Sequence, residues 1–120
     1  MKKIEAYIRH DAFEPIRMEL AELGFPSLSV TEVKGSGRQR GIPERSPATE
    51  LTDELRPKVK LECVVSDGDV QTIVDTVLRH GRTGSVGDGK VFVLGVEEAY
   101  RVRTGEEGDH VLQAHPRTSD

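Results

Sequence analysis

Residues 58–65 read Lys58-Val59-Lys60-Leu61-Glu62-Cys63-Val64-Val65. In an extended chain Val59, Leu61, Cys63 and Val65 fall on one side and Lys58, Lys60 and Glu62 on the other. That period of two marks a strand with one buried face. Ser66 or Asp67 then stands where a helix N-cap belongs. Val70, Ile73, Val74, Val77 and Leu78 recur at helical spacing until Gly81. A glycine-rich loop follows, and Lys90–Val96 returns to the pattern of a strand. The second half of the chain is therefore a β-α-β unit.

The first half repeats this order. Ile4, Ala6 and Ile8 alternate with Lys3, Glu5 and Tyr7 as a strand. Phe13, Ile16, Leu20 and Leu23 keep helical spacing, and Gly24 sits where a helix stop belongs. Leu28 to about Lys34 forms the next strand. Between the halves runs a polar stretch, Gly35–Pro57, with three Gly, three Pro and almost no periodicity. Unstructured connections beyond about 12–15 residues are usually functional or disordered. Flanked by two strands, this one reads as a long excursion of a hairpin, not a domain linker.

The order β-α-β-loop-β-α-β is the split βαβ, or ferredoxin-like, pattern of an α+β protein. Its first and third strands are central, and its helices cover one sheet face. No third long helix is available for the other face, whose residues are mixed (Tyr7, Val64), so self-association is expected to cover it.

Composition narrows the function. A chain of 120 residues with net charge −4 lacks the basic balance that a nucleic-acid backbone demands, so no nucleic-acid partner is expected. No apolar run approaches the roughly 18 residues of a membrane helix, and the start shows no signal peptide. A cytoplasmic location without membrane insertion is expected. The single cysteine, Cys63, rules out an internal disulfide and reads as a buried, inert strand thiol.

Two glycine-rich segments carry the candidate chemistry. Gly84-Ser85-Val86-Gly87-Asp88-Gly89-Lys90 fits the first seven positions of a Walker A loop. The eighth should be Ser or Thr and is Val91, and the loop opens into a strand instead of a helix. Gly35-Ser36-Gly37-Arg38-Gln39 ends the second strand. Glycines let backbone N–H groups converge on an anion. Lys90 adds a point charge, and Arg38, Arg101 and Arg103 add forks able to grip phosphate. Edge strands separate the two loops within one subunit, but a subunit boundary could join them. Arg101 and Arg103 alternate and so share a strand face. Asp88 reads as a turn residue. Glu62 reads as the partner of a lysine. His10, His80, His110 and His115 lack metal-ligand spacing. No nucleophile–base pair is visible, which favours a binding module over an enzyme.

Several motifs, in order, make the chain similar to one family. MKKIEAYIRHDAF at the start, VTEVKGSGRQRG (30–41), PKVKLECVV (57–65), TGSVGDGKVFV (83–93) and YRVRTGEEGD (100–109) closely resemble the PII signal-transduction family, the nitrogen-regulatory P-II proteins. The similarity spans residues 1 to about 110. It implies a single domain over 1–110, with a T-loop at about 36–57, a B-loop at about 81–90 and a C-loop at about 101–110. A flexible tail, 111–120, follows.

The resemblance implies a ferredoxin-like homotrimer that binds ATP or ADP in clefts between subunits. It also implies sensing of 2-oxoglutarate when Mg-ATP is bound. Nucleotide contacts carry over to Ser29, Thr31, Gly37, Arg38, Gln39, Val64, Gly87, Asp88, Gly89 and Lys90, with Arg101 and Arg103 from the adjacent subunit. Gln39, Lys58 and Gly41 are the implied 2-oxoglutarate residues, and Arg9 stands near them. Gln39 is the implied Mg²⁺ ligand, and Glu62 and Lys90 an implied structural pair. The metal is then held away from Val91, which accounts for the incomplete Walker pattern.

The implied function is that of a nitrogen, carbon and energy-status sensor, not an enzyme. It acts through its T-loop on a protein target such as an ammonium transporter, glutamine synthetase or nitrogenase. GRQRG, DELRPK and VEEAYRVRTGEEG are similar to the nitrogenase-switching branch. The alternative is a nucleotide-hydrolysing or phosphotransfer enzyme using the same inter-subunit cleft. Leu51 stands where many members carry a modified tyrosine, so that modification is not expected. Ser46 replaces the other T-loop tyrosine, and with Thr49 reads as an ordinary loop hydroxyl. Tyr7 replaces a smaller aliphatic residue near the nucleotide.

Overall fold

A computed structural model of the chain describes residues 1–25, 27–36 and 55–112. Strand β1 is Lys2–Ile8, helix α1 Phe13–Glu22, strand β2 Ser29–Ser36, strand β3 Leu55–Val65, helix α2 Val70–Gly81 and strand β4 Gly89–Gly95. The sheet runs β2-β3-β1-β4, and every neighbouring pair is antiparallel. This is the expected ferredoxin-like order, with β1 and β3 central.

Alternation decides which face is buried. Ile4, Ala6 and Ile8 of β1 and Val59, Leu61, Cys63 and Val65 of β3 form the core with Ala12, with Ile16 and Leu20 of α1, and with Ile73 and Val77 of α2. Thr76 is the buried polar residue of this layer, and its hydroxyl donates to the Thr72 carbonyl at 2.9 Å, one turn back. Burial pushes the Cys63 thiol up to about 11, as expected of an inert strand cysteine.

α1 ends as its sequence predicts. Gly24, at φ 99°, occupies the left-handed position. Its N–H reaches the Ala21 carbonyl at 3.1 Å, and Phe25 N–H reaches that of Leu20 at 2.7 Å, the paired bonds of a Schellman stop. The start of α2 differs from expectation. Neither Ser66 nor Asp67 caps it with a side chain; a 3₁₀ turn, Asp67–Asp69, leads in instead. The Asp67 carboxylate is turned to the Met1 ammonium at 2.9 Å, which offers it a full charge in place of an amide.

The hairpin strands run beyond their expected limits of Lys34 and Lys58, because ladder pairing continues to Ser36 and back from Leu55. β1 accompanies β3 only over Val59–Val65. Pro57 therefore lies where β3 has one open edge, and its missing N–H costs least there. Arg101 and Arg103 do not share a strand. Residues 99–108 form a turn closed by the Tyr100–Glu107 bridge and by Gly105 N–H on the Arg101 carbonyl at 2.7 Å. The chain after Gly108 continues as a 3₁₀ turn, Asp109–Leu112, which runs two residues into the tail expected over 111–120. Among the described residues no helix is long and apolar enough to cross a membrane.

Candidate functional site

The glycine-rich loop between α2 and β4 is organised by one carboxylate. Asp88 Oδ2 accepts the N–H of Thr83 at 2.7 Å and of Gly84 at 2.8 Å. Its Oδ1 accepts the Thr83 hydroxyl and Arg9 Nε, the latter at 3.1 Å. The Thr83 hydroxyl and amide, then the Gly84 amide and Arg9, hold the Asp88 carboxyl well below the usual carboxylate range, against some burial. Arg9 also donates from Nη2 to the Val86 carbonyl at 3.1 Å. Lys58 Nζ donates to the Gly87 carbonyl. The loop is thus tied by two cations, Arg9 just beyond the end of β1 and Lys58 within β3.

Its far end is pressed onto β1. Gly89 has φ 109°, and a Cβ there would lie 1.7 Å from the Tyr7 carbonyl oxygen. Only glycine fits both the conformation and the space. Gly89 therefore sets the point where the loop becomes β4, and Lys90 follows at once, exposed and directly opposite Tyr7 in the sheet.

The helix-free sheet face carries the remaining candidates. Ser29 pairs with Glu62, Thr31 with Lys60, and Lys60 in turn with Tyr7. Val64 lies opposite Lys3. The Tyr7 ring meets Phe92 edge-on at 6.0 Å, and Lys60 Nζ stands 5.7 Å from its centroid. Glu62 does not pair with Lys90 here. Its carboxylate takes Lys3 at 2.8 Å and Lys60 at 3.5 Å, and Lys90 makes no ion pair among the described residues. The register explains this: Lys3 reaches Glu62 from the adjacent strand β1 and Lys60 from two residues earlier on β3 itself, whereas β1 separates Glu62 from Lys90. The Lys3 ammonium holds the Glu62 carboxyl below its ordinary value.

Arg101 and Arg103 stay apart from this cluster. Arg101 Nε lies 3.7 Å from Glu106 Oε1, and among the described residues no hydrogen bond or ion pair joins either arginine to the glycine loop. Gly37, Arg38, Gln39, Gly41, Ser46, Thr49, Leu51 and His115 lie outside the described residues. His10, His80 and His110 each stand beside one glutamate, Glu32 at 3.5 Å, Glu19 at 2.6 Å and Glu106 at 3.7 Å.

Of the expected site residues, Lys58, Gly87, Asp88, Gly89 and Lys90 are gathered at one loop, with Ser29, Glu62 and Val64 on the sheet. The part missed by reading residues singly is Asp88 as the hub and Arg9 as its strap. The available signal was an acid flanked by glycines and following a threonine at a loop's start, a pattern that also suits an ordinary turn. The arrangement can hold an anion: it gathers Arg9, Lys58 and the exposed Lys90 at one glycine-rich loop. An open groove of about 560 Å³ between α2 and β4 has Asp88, Gly89 and Lys90 in its lining.

Comparison with known proteins agrees with this architecture. The family model "Nitrogen regulatory protein P-II" matches residues 1–106. The chain is 49% identical over 112 residues to Nitrogen regulatory protein P-II of Klebsiella oxytoca, covering 93% of this chain and 100% of that one. Nitrogen regulatory protein P-II 1 of Escherichia coli K12 gives the same identity and coverage. P-II 2 of Methanothermobacter thermautotrophicus is 45% identical over 108 residues, 90% of this chain and 94% of that one. Among solved structures, PII of Arabidopsis thaliana bound to citrate superposes with TM-score 0.76 at 31% identity, covering 97% of this chain and 93% of its own. The chain therefore belongs to the nitrogen regulatory protein P-II family, as a regulatory signal protein and not an enzyme.

Proposed function

We propose that the protein is a trimeric cytoplasmic sensor that binds ATP or ADP, and 2-oxoglutarate with Mg-ATP, and controls a target protein through its T-loop. The observation that carries this reading is the glycine loop itself. It is closed on the Tyr7 carbonyl by Gly89, strapped by Arg9 and Lys58, and followed by the exposed Lys90. Such a loop offers an anion local positive charge on a chain whose net charge is −4.

In this reading Gly87, Gly89 and Lys90 take the phosphates, with Gly37, Arg38 and Gln39 from the T-loop base and Arg101 and Arg103 from a neighbouring subunit. Asp88 positions the loop, and Ser29 and Val64 face the adenosine. The separation of Arg101 from the loop within one chain, where its contact is Glu106, favours service to another copy. Lys58, Gln39 and Gly41 take 2-oxoglutarate; the Arabidopsis relative's citrate is likewise a carboxylate anion. Mg²⁺ suits an all-oxygen set of phosphates, keto-acid and the Gln39 amide. The chain's own part is to neutralise and orient these anions. The ligands shift the T-loop only by their differential affinity for its conformations. An ammonium transporter, glutamine synthetase or nitrogenase is the class of target. The T-loop carries no tyrosine modification, because position 51 is leucine.

Two variants test the assignment by titration calorimetry. Lys90→Ala is expected to weaken ATP and ADP alike, by about tenfold or more, the scale of one charge-assisted hydrogen bond. Gln39→Ala is expected mainly to abolish 2-oxoglutarate binding. Equal loss of ATP in both, with 2-oxoglutarate unaffected, would show the roles to be wrong.

A further inference from the structure

Arg9 and Lys58 are engaged by the chain's own atoms, and one of the two partners of Arg9 is a full negative charge. Arg9 holds Asp88 Oδ1 through Nε and the Val86 carbonyl through Nη2, each at 3.1 Å. Lys58 holds the Gly87 carbonyl. A Cβ on Gly87 would lie 3.4 Å from Arg9 Nη2 and 3.6 Å from Lys58 Nζ. Glycine at 87 thus leaves open a space that two cations share. A planar fork beside an ammonium is the donor set for one small oxyanion.

Of the two contacts of Arg9, the carbonyl of Val86 is a weaker partner than the carboxylate of Asp88. Asp88 is therefore the contact that competes with an incoming anion for Arg9. Its bonds to the Thr83 and Gly84 amides run through Oδ2 and do not need Arg9. Asp88 can release Arg9 and still hold the loop.

We propose that Asp88 is an internal competitor: it occupies Arg9 until an external oxyanion, seated between Arg9 and Lys58, displaces it. The idea rests on the anion site of the proposed function and adds its regulation. Affinity is held below the maximum the cations would permit, so the threshold of response is set by the Arg9–Asp88 contact. The oxyanion is a carboxylate of 2-oxoglutarate or a nucleotide phosphate.

Asp88→Asn removes the charge while retaining an acceptor for the loop amides. Titration of this variant with ATP alone, and with 2-oxoglutarate under saturating Mg-ATP, tests the proposal. Binding about three- to tenfold tighter than wild type is expected in one arm, since a charge-assisted contact no longer has to be broken. Tightening confined to 2-oxoglutarate identifies the carboxylate; tightening already present with ATP alone identifies the phosphate. In Arg9→Gln the gain from Asp88→Asn should vanish, as a double-mutant cycle would show. Unchanged or weaker binding in both arms, with wild type binding normally, overturns the inference and leaves the sensor reading intact. If wild type binds neither ligand, that reading fails and the inference falls with it. Wild-type protein gives a check independent of how the variants fold. The NMR signal of Arg9 Nε–H should shift at saturation, and a signal unmoved by either ligand would overturn the proposal.

Discussion

At Gly89 one missing methyl group connects backbone to site. The carbonyl of Tyr7 fills the volume a Cβ would take, 1.7 Å away, and the φ of 109° disfavours any other residue. Gly89→Ala is expected to cost about 3 kcal/mol or more in urea unfolding, combining a left-handed backbone with a steric clash. It should also weaken nucleotide binding, because Lys90 would be displaced with the start of β4. A cost below about 0.5 kcal/mol, the scale of an ordinary surface substitution, would contradict this packing. Cys63 makes the opposite case, a residue whose chemistry is suppressed. With its thiol pushed up to about 11, native protein is expected to react with a thiol reagent near neutral pH only through unfolding. Rapid labelling of folded protein would show the thiol to be exposed.

Between elements, α1 and α2 are joined by core contacts and by one surface clasp. Ile16 and Leu20 belong to the same buried cluster as Ile73 and Val77, so Leu20→Ala is expected to cost about 2–5 kcal/mol in urea unfolding. Glu19 bonds both His80, at 2.6 Å, and Arg79 in the last turn of α2. The His80 bond first, then Arg79, lowers the Glu19 carboxyl, with burial opposing. A lowered carboxyl stabilises the fold fully above its unfolded value and loses that contribution as pH falls through its folded value. The stability advantage of wild type over Glu19→Gln should therefore shrink between about pH 5 and pH 3 in thermal melts. An advantage that grew with acid would contradict the sign. These elements were legible because period and punctuation agreed: β1, β3 and α1 carry alternating or helical apolar positions bounded by Gly24 or polar turns. Less legible were features decided by distant partners. Asp67 left the cap for the Met1 ammonium, Glu62 took Lys3 from the neighbouring strand, and Asp88 drew in Arg9 from beyond the end of β1. Local spacing holds no record of such choices. The Walker-like spacing of Gly84–Lys90 and the resemblance to P-II proteins both marked the loop, but its wiring to Arg9 and Lys58 depends on how the strands bring them together.

For the whole molecule, the helix-free sheet face matters most. Phe92 and Leu94 are exposed there beside a network of Lys3, Glu5, Lys60 and Glu62. Trimer formation would cover this face, and Leu94→Glu, which places an unpaired charge within it, is expected to shift sedimentation from trimer to monomer. A monomeric wild type would remove the clefts in which Arg101 and Arg103 are proposed to serve a neighbour. The most direct test is calorimetric titration of wild type with 2-oxoglutarate, alone and under saturating Mg-ADP or Mg-ATP. Nucleotide binding, with 2-oxoglutarate heat only in the presence of Mg-ATP, is the predicted result. Absence of nucleotide binding would contradict the sensor at its centre.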